Sequence, residues 1–403
     1  MLNLSKEDKI KLVTGKGAWH TDDCNGQFPS VLMADGPHEL RIPLADGVNQ
    51  NNSSLVSTCY PTASALALSW DLDAVTLMAD AYAKEAIHTD VDIVLGLGVN
   101  IKRSPLCGRN FEYYSEDPYL SGMFATTFIN TMQSHGVGVS LKHFAGNNQE
   151  THRQTQNSQI DERALREIYL AAFEMAVKKS SPLTIMASHN RLNGAYACAN
   201  KRLLTDILRD EWGYDGTVIS DWGASIHLPY CIHAGMDLEM PDNHGIHEHF
   251  LISALKEEKQ VSPEDLDRAA FHVTKLIEYK MTQNAISKGK RLDYYSQGPH
   301  ELAIELAAKS AVLLKNDGML PLSTNQEILV IGDLALNMRF QGGGSSHITT
   351  IAVQNAIDSL KTVGYKVLFE STIETFNDLF KRAEFSGNRI IVCKTYNLSD
   401  IKI

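Results

Sequence analysis

The sequence contains no run of about 20 consecutive apolar residues, the length that a membrane-spanning helix requires. It also contains no cluster of lysines and arginines, and its net charge is −11 at pH 7. Because phosphate groups are bound by clustered basic side chains, we expect no nucleic acid and no membrane as a partner. A neutral ligand suits such a chain better.

The six cysteines are scattered, and no two of them have CxxC spacing. The apolar core of a signal peptide is missing from the N-terminal segment, which alternates charged and apolar residues and reads MLNLSKEDKIKLV. These two features predict reduced thiols and a cytoplasmic protein.

Signatures of cofactor binding are missing as well. His143, His152 and His189 do not have the spacing of a helix-borne metal pair, and no carboxylates cluster with them. The segment QGGGSSH (341–347) has neither the Walker spacing with its lysine nor a GxGxxG pattern that opens a helix, so we interpret it as a flexible loop. We expect no metal and no other cofactor.

The features that are present indicate a globular α/β protein. The chain has 403 residues, of which 43% are hydrophobic and 21% charged, which predicts two domains or a barrel with an appendage. From about residue 30 to 280, apolar strands alternate with amphipathic helices, as in βα units with a parallel sheet. In one such unit Asn200 can cap the helix KRLLTDILRDEW, Gly213 can end it, and the strand GTVIS follows.

This alternation predicts a TIM-like (β/α)8 barrel over residues 1–285. A polar linker and a connecting helix follow at 286–310. Residues 311–403 offer three strands and one helix, EILVIGD, YKVLFE and NRIIVCK with TIAVQNAIDSLKTVG, which predict a partial α/β domain, an incomplete flavodoxin-like sandwich.

Polar residues follow several of the predicted barrel strands. In a barrel of parallel strands these positions share one rim, where the active sites of such barrels lie. The residues are Asp35, Asn100, Arg103, Lys142, His143, His189, Asn190, Asp221, Trp222, Asp237, Glu239 and Asp242.

Asp221 at the end of TVIS has two interpretations. It is a nucleophile or general base, or it is a strand-end carboxylate that caps the next helix. Trp222 beside it favours the first interpretation, because an indole next to a carboxylate stacks the apolar face of a sugar ring over the acid. Carbohydrate is therefore the leading ligand class.

Lys142 has three interpretations: a Schiff-base lysine as in an aldolase, a cation that binds hydroxyls, or a salt bridge to a rim acid. The many acids at the rim favour the last two. The loop CGRNFEYYSEDPYLSG (107–122) is rich in arginine, aromatics and acids, and its plainest interpretation is a structural turn. In that turn Glu112, Glu116 and Asp117 would pair with Arg109 and Arg103.

Seven segments in this order resemble glycoside hydrolase family three, especially its bacterial β-glucosidases. They are ADGPHELR, GRNFEYYSEDP, KHFAGNNQETHRQ, NRLNGAYACAN, VISDWG, AGMDLEMP and VLLKNDGMLPL. The resemblance implies a retaining exo-glycosidase that releases terminal non-reducing β-D-glucosyl residues from small β-glucosides or oligosaccharides. It assigns Asp221 as the nucleophile.

The resemblance also implies which residues bind the sugar. Trp222 matches the stacking position, and His189 in MASHN stands where the family has the tyrosine of MxSYN. Ser345 or Ser346 of QGGGSSH matches a second-domain loop that leans over the barrel. The residues that would grip the hydroxyls are Asp35, Arg109, Lys142, His143 and Arg153.

The resemblance ends before the family's general acid/base, a glutamate beyond the strand that matches NRIIVCK. We therefore expect a truncated, impaired β-glucosidase; the alternatives are an inactive sugar-binding remnant or half of a split enzyme, completed by a complementing chain with the C-terminal half. The loop histidine of the N-acetylglucosaminidase branch follows KH-x-x-G-H-G, which this chain lacks, so His152 is a poor substitute. Glu150 and Glu239 are rim acids that we expect to be ion-paired or orienting.

Overall fold

A computed structural model gives the structure of the chain, and two compact units, Met1–Val312 and Leu313–Ile403, make it up. The structure describes residues 4–42, 54–257, 259–287, 298–323, 327–347, 349–370 and 389–392, without the side chains of 284–287, 345, 370 and 389–392. The domain bounds expected from the sequence, 1–285, 286–310 and 311–403, remain predictions.

The first unit contains a five-stranded sheet in which every strand is parallel to its neighbours. The strands are β1 (Met33–Asp35), β2 (Ile93–Leu95), β3 (Gly138–Phe144), β4 (Thr184–Ala187) and β5 (Thr217–Ser220), adjacent in chain order. Beyond β5, Leu238 pairs in parallel with Ile219. The prediction of an α/β fold with a parallel sheet is confirmed.

Helices alternate with these strands along the chain. They are α1 (Lys6–Thr14), α2 (Ala63–Leu68), α3 (Leu72–His88), α4 (Pro118–Ser134), α5 (Ala171–Ser180), α6 (Arg202–Glu211), α7 (Leu228–Ala234), α8 (Ile246–Glu257), α9 (Pro263–Ser287) and α10 (Gly298–Lys309). Shorter pieces are the helical turns Asn110–Glu112, Glu162–Ala164, Leu165–Tyr169 and Ala197–Ala199, and the strands Val56–Ser57, Asn157–Ser158, Arg191–Leu192 and Ala195–Tyr196.

Helix α6 follows from its local sequence. Asn200 Oδ1 accepts the Leu203 amide at 3.1 Å, which satisfies one of the donors left free at a helix start. Leu203, Leu204, Ile207 and Leu208 are buried on one face, and Gly213, with φ of 72°, follows the helix end. The turns of α6 are wide, of the π type.

The sheet separates two hydrophobic clusters, because successive side chains of a strand point to opposite faces. In β2, Ile93 and Leu95 belong to one cluster and Val94 to the other. Both faces of the strands are therefore covered by apolar residues, as parallel sheets require. The polar residues that follow the strands then lie together at the carboxyl edge.

The second unit contains three parallel strands in the order β7-β6-β8: β6 (Glu327–Ile331), β7 (Lys366–Glu370) and β8 (Arg389–Val392). It also contains helix α11 (Ala356–Thr362), the turns Asp333–Ala335 and Gly344–Ser346, and the short strand Thr349–Thr350. Its cluster of buried apolar residues comprises Ile328, Val330, Ala335 and Ile357. Among the helices of the described ranges, none has both the length and the apolar character needed to cross a bilayer.

Candidate active site

The carboxylate of Asp221 lies at the carboxyl edge, directly after β5. Its backbone amide donates to the Ala187 carbonyl of β4 at 2.8 Å, which fixes the residue against the neighbouring strand. Its Oδ1 accepts the Trp222 amide at 2.8 Å. Its Oδ2 accepts no hydrogen bond within the described residues and faces two imidazole nitrogens, His189 Nε2 at 3.5 Å and His143 Nε2 at 3.8 Å.

Lys142 at the end of β3 is buried and ion-paired. Its Nζ lies 3.1 Å from Asp35 Oδ1 and 3.5 Å from Glu112 Oε2. Burial alone would lower the pKa of Lys142, but the charges of Asp35 and Glu112 outweigh it and raise the pKa. A Schiff-base lysine must be neutral to react, so the aldolase interpretation is disfavoured and the salt-bridge interpretation is confirmed.

The same pairing keeps Asp35 ionised. Burial favours the neutral acid, but the charge and hydrogen bond of Lys142 and the charge of Arg109 lower its pKa. Arg109 Nε in turn donates to Glu112 Oε1, and Glu112 is 1% exposed. The negative charges of Glu112 and Asp221 raise the pKa of Arg109 in spite of its burial. Two cations and their carboxylates thus form one buried network beside Asp221.

The amide, the carbonyl and the imidazole ring of His143 each have a polar partner. Its amide donates to Asn100 Oδ1 at 2.8 Å, and Asn100 Nδ2 donates to the His143 carbonyl at 2.9 Å. The hydroxyl of Tyr113 lies 3.2 Å from His143 Nδ1. Burial first, and then the charges of Arg109 and Lys142, lower the pKa of His143 well below its usual value. The ring is therefore neutral at neutral pH.

His189 follows β4 and is 3% exposed. Burial lowers the pKa of its imidazole, although the charge of Asp221 opposes the shift. Asp221 Oδ2 thus faces two neutral imidazoles, whose Nε2 atoms have no hydrogen-bond partner within the described residues. A substrate hydroxyl or the anomeric carbon can approach this oxygen without first displacing a hydrogen bond.

Two of the acids considered at the rim are engaged with bases. Glu150 Oε2 accepts from Arg153 Nη1 at 3.0 Å, and its Oε1 accepts from Asn147 Nδ2 at 3.0 Å. Glu239 Oε1 lies 2.5 Å from His247 Nδ1. The expectation that both acids are ion-paired or orienting is confirmed. The charge of Arg153 acts on both His143 and His189, so Arg153 belongs to the same neighbourhood.

The indole of Trp222 contacts the N-terminal segment. Its Nε1–H donates to the Ala18 carbonyl at 2.8 Å, and its ring centroid lies 5.3 Å from that of Trp19 at an angle of 32°. Sequence reasoning missed Trp19 and Tyr113. Neither has a periodic signal, and only the aromatic character of the GKGAWH and GRNFEYY loops could have indicated them.

Of the ion pairs expected in the turn at 107–122, the structure shows the one between Glu112 and Arg109. Asp117 does not serve as an arginine partner: its Oδ1 accepts the Tyr119 amide at 2.8 Å and caps α4. An aspartate directly before a proline at the first helical position is a typical helix start, so this function was visible in the sequence. Arg103 is exposed.

The predicted residues Asp35, Arg109, Lys142, His143, His189, Asp221, Trp222 and Arg153 thus all belong to the first unit and to one neighbourhood. Ser345 belongs to the second unit, in the turn Gly344–Ser346, and its side chain lies outside the described part of the chain. The hydroxyl of Ser346 donates to the Gly343 carbonyl at 2.8 Å. In the described ranges no three His, Cys, Asp or Glu side chains are grouped as metal ligands.

The chain is similar to known proteins in sequence and in structure. The family model "Glycosyl hydrolase family 3 N terminal domain" matches residues 32–276. The chain is 45% identical to the thermostable beta-glucosidase B of Acetivibrio thermocellus, over 90% of this chain and 48% of that protein. It is 43% identical to an exo-α-(1→6)-L-arabinopyranosidase of Bifidobacterium longum, over 91% of this chain and 49% of that protein.

Two solved structures extend the likeness to the fold. The GH3 beta-glucosidase of Bifidobacterium adolescentis superimposes with a TM-score of 0.83 at 38% identity, over 97% of this chain and 57% of that one. Beta-glucosidase 3B of Thermotoga neapolitana in complex with glucose superimposes with a TM-score of 0.83 at 34% identity, over 95% of this chain and 56% of that one. The chain spans about half the length of the curated relatives it matches.

Proposed function

The chain belongs to glycosyl hydrolase family 3, and from this premise we propose that it is a retaining β-glycosidase of the β-glucosidase type. One observation carries the proposal: a buried carboxylate, Asp221, keeps one oxygen free while two neutral imidazoles face it. The β-glucosidases among the similar proteins support a terminal, non-reducing β-D-glucosyl residue as the substrate. The similar arabinopyranosidase makes an arabinopyranosyl residue the second sugar to test.

In this proposal Asp221 Oδ2 attacks the anomeric carbon. The bond from that carbon to the aglycone oxygen breaks, the oxygen takes up a proton from a general acid, and a glycosyl ester forms on Asp221. Water then attacks the same carbon, gives up a proton, and releases the sugar and the carboxylate. Oδ1 keeps its hydrogen bond to the Trp222 amide and holds the orientation of the nucleophile throughout.

The rest of the site would bind the sugar by its hydroxyls and by one face. Asp35 accepts from hydroxyl groups, and Lys142 and Arg109 donate to them, since all three keep their charges at neutral pH. His143 and Arg153 complete this set. Trp222 stacks against the apolar face of the ring. We further propose that the five parallel strands belong to a closed TIM-like (β/α)8 barrel, and that the second unit is part of a flavodoxin-like sandwich.

The mechanism also needs a general acid that protonates the leaving group. Glu112, Glu150 and Glu239 are each engaged with a basic side chain, which makes them poor proton donors to a leaving group. We therefore propose that the acid comes from outside the described residues or from a complementing chain. General-acid assistance contributes about 10²- to 10⁴-fold, so this chain alone should hydrolyse activated aryl glycosides far better than alkyl glycosides. The same observation favours, as second candidate, a chain that binds sugars without hydrolysing them.

The test is a time course of p-nitrophenyl β-glucoside hydrolysis, with and without azide, for the wild type, for Asp221→Ala and for the control Asp206→Ala, whose side chain is 46% exposed. Azide attacks the glycosyl-enzyme without a general base. Product that disappears in Asp221→Ala, persists in Asp206→Ala and rises with azide supports the proposal. Product that is independent of Asp221 would refute the nucleophile, and no product together with glucose binding would favour the second candidate.

A further inference from the structure

The orientation of Trp222 is set by the N-terminal segment and not by its own helix or strand. The indole Nε1–H donates to the Ala18 carbonyl at 2.8 Å, and the Trp19 ring lies 5.3 Å away, centroid to centroid. An indole that donates its single hydrogen bond to a fixed carbonyl cannot rotate without losing that bond. The position of Ala18 therefore decides where the stacking ring of Trp222 stands.

Ala18 is in turn positioned by Asp242 through Gly17. Asp242 Oδ2 accepts the Gly17 amide, and the Asp242 amide donates to the Gly17 carbonyl at 3.0 Å. Hydrogen bonds to a carboxylate are stronger than those between neutral groups, and two bonds between the same residues fix orientation as well as distance. Gly17 has a φ of 62°, so the chain turns sharply just before Ala18.

The segment that carries Asp242 also holds the other side of Trp222. The Met240 carbonyl accepts the Gly223 amide at 3.1 Å, and the Ser220 hydroxyl donates to the same carbonyl at 3.0 Å. The chain from 240 to 242 thus contacts the Ser220 hydroxyl before Trp222 and the Gly223 amide after it and, through Gly17, the segment whose Ala18 carbonyl holds the indole. A change in this segment would be transmitted to the stacking ring first.

We propose that Asp242 is a positioning residue for the substrate: it fixes Gly17 and Ala18, and thereby the plane of the Trp222 indole over the sugar. The expected effect on KM rests on the proposed glycosidase function, whereas the expected effect on the orientation of the Trp222 indole does not. Because Asp242 acts on a stacking residue and not on the carboxylate of Asp221, it controls sugar affinity more than the rate of the chemical step.

The structural arm is an NMR measurement that requires no activity. In the full chain labelled with 15N-tryptophan, the four tryptophans give four indole N–H signals, and Trp222→Phe identifies one of them. Asp242→Ala is expected to shift the Trp222 signal and speed its exchange with solvent, while Trp70 and Trp212 stay unchanged. The matched control is His244→Ala, whose side chain lies 3.5 Å from Asp242 Oδ1 on the same loop but takes no part in the Gly17 contact. An unaltered Trp222 signal in Asp242→Ala overturns the proposal.

The functional arm is a double-mutant cycle on hydrolysis of p-nitrophenyl β-glucoside. Loss of a charged hydrogen bond predicts that Asp242→Ala raises KM by about tenfold with kcat changed less than about twofold, while Asp242→Asn, which keeps an acceptor oxygen, restores most of the affinity. In the Trp222→Phe background, Asp242→Ala should add less than about twofold. An undiminished effect in that background, or a fall in kcat at constant KM, would contradict a role through Trp222.

If the chain turns over no substrate, the same cycle is measured as glucose affinity by calorimetry. The proposed function can then fail while the NMR arm still gives its own answer on Asp242. Preserved circular dichroism and one cooperative thermal transition distinguish a shifted ring from a misfolded variant. A variant that fails both tests is replaced by Asp242→Asn, for which a smaller shift of the same indole signal is expected and no shift counts against the proposal.

Discussion

At the scale of single residues, the charged network beside Asp221 depends on the carboxylate of Glu112. Glu112 is 1% exposed and lies between Arg109 and Lys142, the two cations expected to bind sugar hydroxyls. Buried charges are tolerated only when they are paired, and removing one partner leaves the other uncompensated. Glu112 therefore keeps Arg109 and Lys142, the cations proposed to bind the sugar, both charged and in place.

Replacing Glu112 by glutamine keeps the shape and removes the charge. Breaking a buried ion pair costs about 3–5 kcal/mol, so we expect Glu112→Gln to lower the free energy of unfolding in urea by that order. The control Glu167→Gln breaks the exposed pair with Arg163, whose side chains are 61% and 83% exposed, and should change stability by less than about 0.5 kcal/mol. Equal changes in the free energy of unfolding of the two variants would show that the buried Glu112 pairs stabilise the fold no more than an exposed ion pair does.

His189 predicts a pH dependence of stability with a definite sign. Burial lowers the pKa of its imidazole in the folded protein below the usual 6.5, so as the pH falls through 6.5 the unfolded chain takes up this proton first. The contribution of His189 is thus complete above pH 6.5 and is lost as the pH falls toward the lower folded pKa.

The measurement is the free energy of unfolding between pH 7.5 and about pH 5, a range that spans the usual histidine pKa. His189→Gln should make the decline toward acid pH shallower than in the wild type. His244→Gln, whose side chain is 95% exposed, should leave the slope unchanged. A slope that is the same in all three proteins would mean that His189 keeps an ordinary pKa.

At the scale of elements, the site depends on how each strand ends. After β1 the chain turns at Gly36, with φ of 145°, directly beside Asp35. A Cβ atom there would lie 1.6 Å from the Glu39 carbonyl oxygen and 2.6 Å from the Tyr82 hydroxyl. The same hydroxyl donates to the carbonyls of Gly36 and Glu39 at 2.8 and 2.6 Å, so the turn has no room to relax.

We expect Gly36→Ala to destabilise the fold by about 3 kcal/mol or more, because both the clash and the positive φ oppose it. Asp35 and its contact with Lys142 would be displaced with the turn. The matched control is Gly108→Ala, where a Cβ atom meets nothing within 4 Å. Thermal unfolding of the two variants checks the expectation, and a Gly36→Ala protein as stable as the control would contradict it.

At the scale of the whole molecule, the two units differ in how much apolar surface they bury. The first unit has two clusters that cover both faces of its sheet, whereas the described cluster of the second unit comprises four buried apolar residues around β6. Within its described residues the second unit has a three-stranded sheet with a small core, an arrangement close to the lower limit of independent stability. The first unit should therefore be the more stable one.

Amide hydrogen exchange of the full chain measures this difference strand by strand. Amides of β6 should exchange at least about tenfold faster than those of β3, because opening free energies follow local burial. All seven residues of β3 are buried, which makes it a suitable reference. Equal protection of the two strands would mean that the units unfold together.

The sequence alone determined those features that depend on local patterns. Alternating strands and helices predicted the parallel sheet, Asn200 predicted the start of α6, and the strand TVIS predicted that Asp221 lies at a carboxyl edge. Motif resemblance predicted the family. These signals are local because hydrophobic periodicity, capping and strand ends each involve a few neighbouring residues.

The tertiary structure decided which side chains meet. Lys142 and Asp35 are 107 positions apart in the chain, and Trp222 and Ala18 are 204 apart. No spacing rule connects such residues, since their contact depends on the order of the strands and on how the N-terminal segment folds back over the edge. For this physical reason the sequence indicated Asp221 as a candidate nucleophile, while the cation network around Glu112 and the contacts that link Asp242 through Gly17 and Ala18 to Trp222 became visible only in the folded chain.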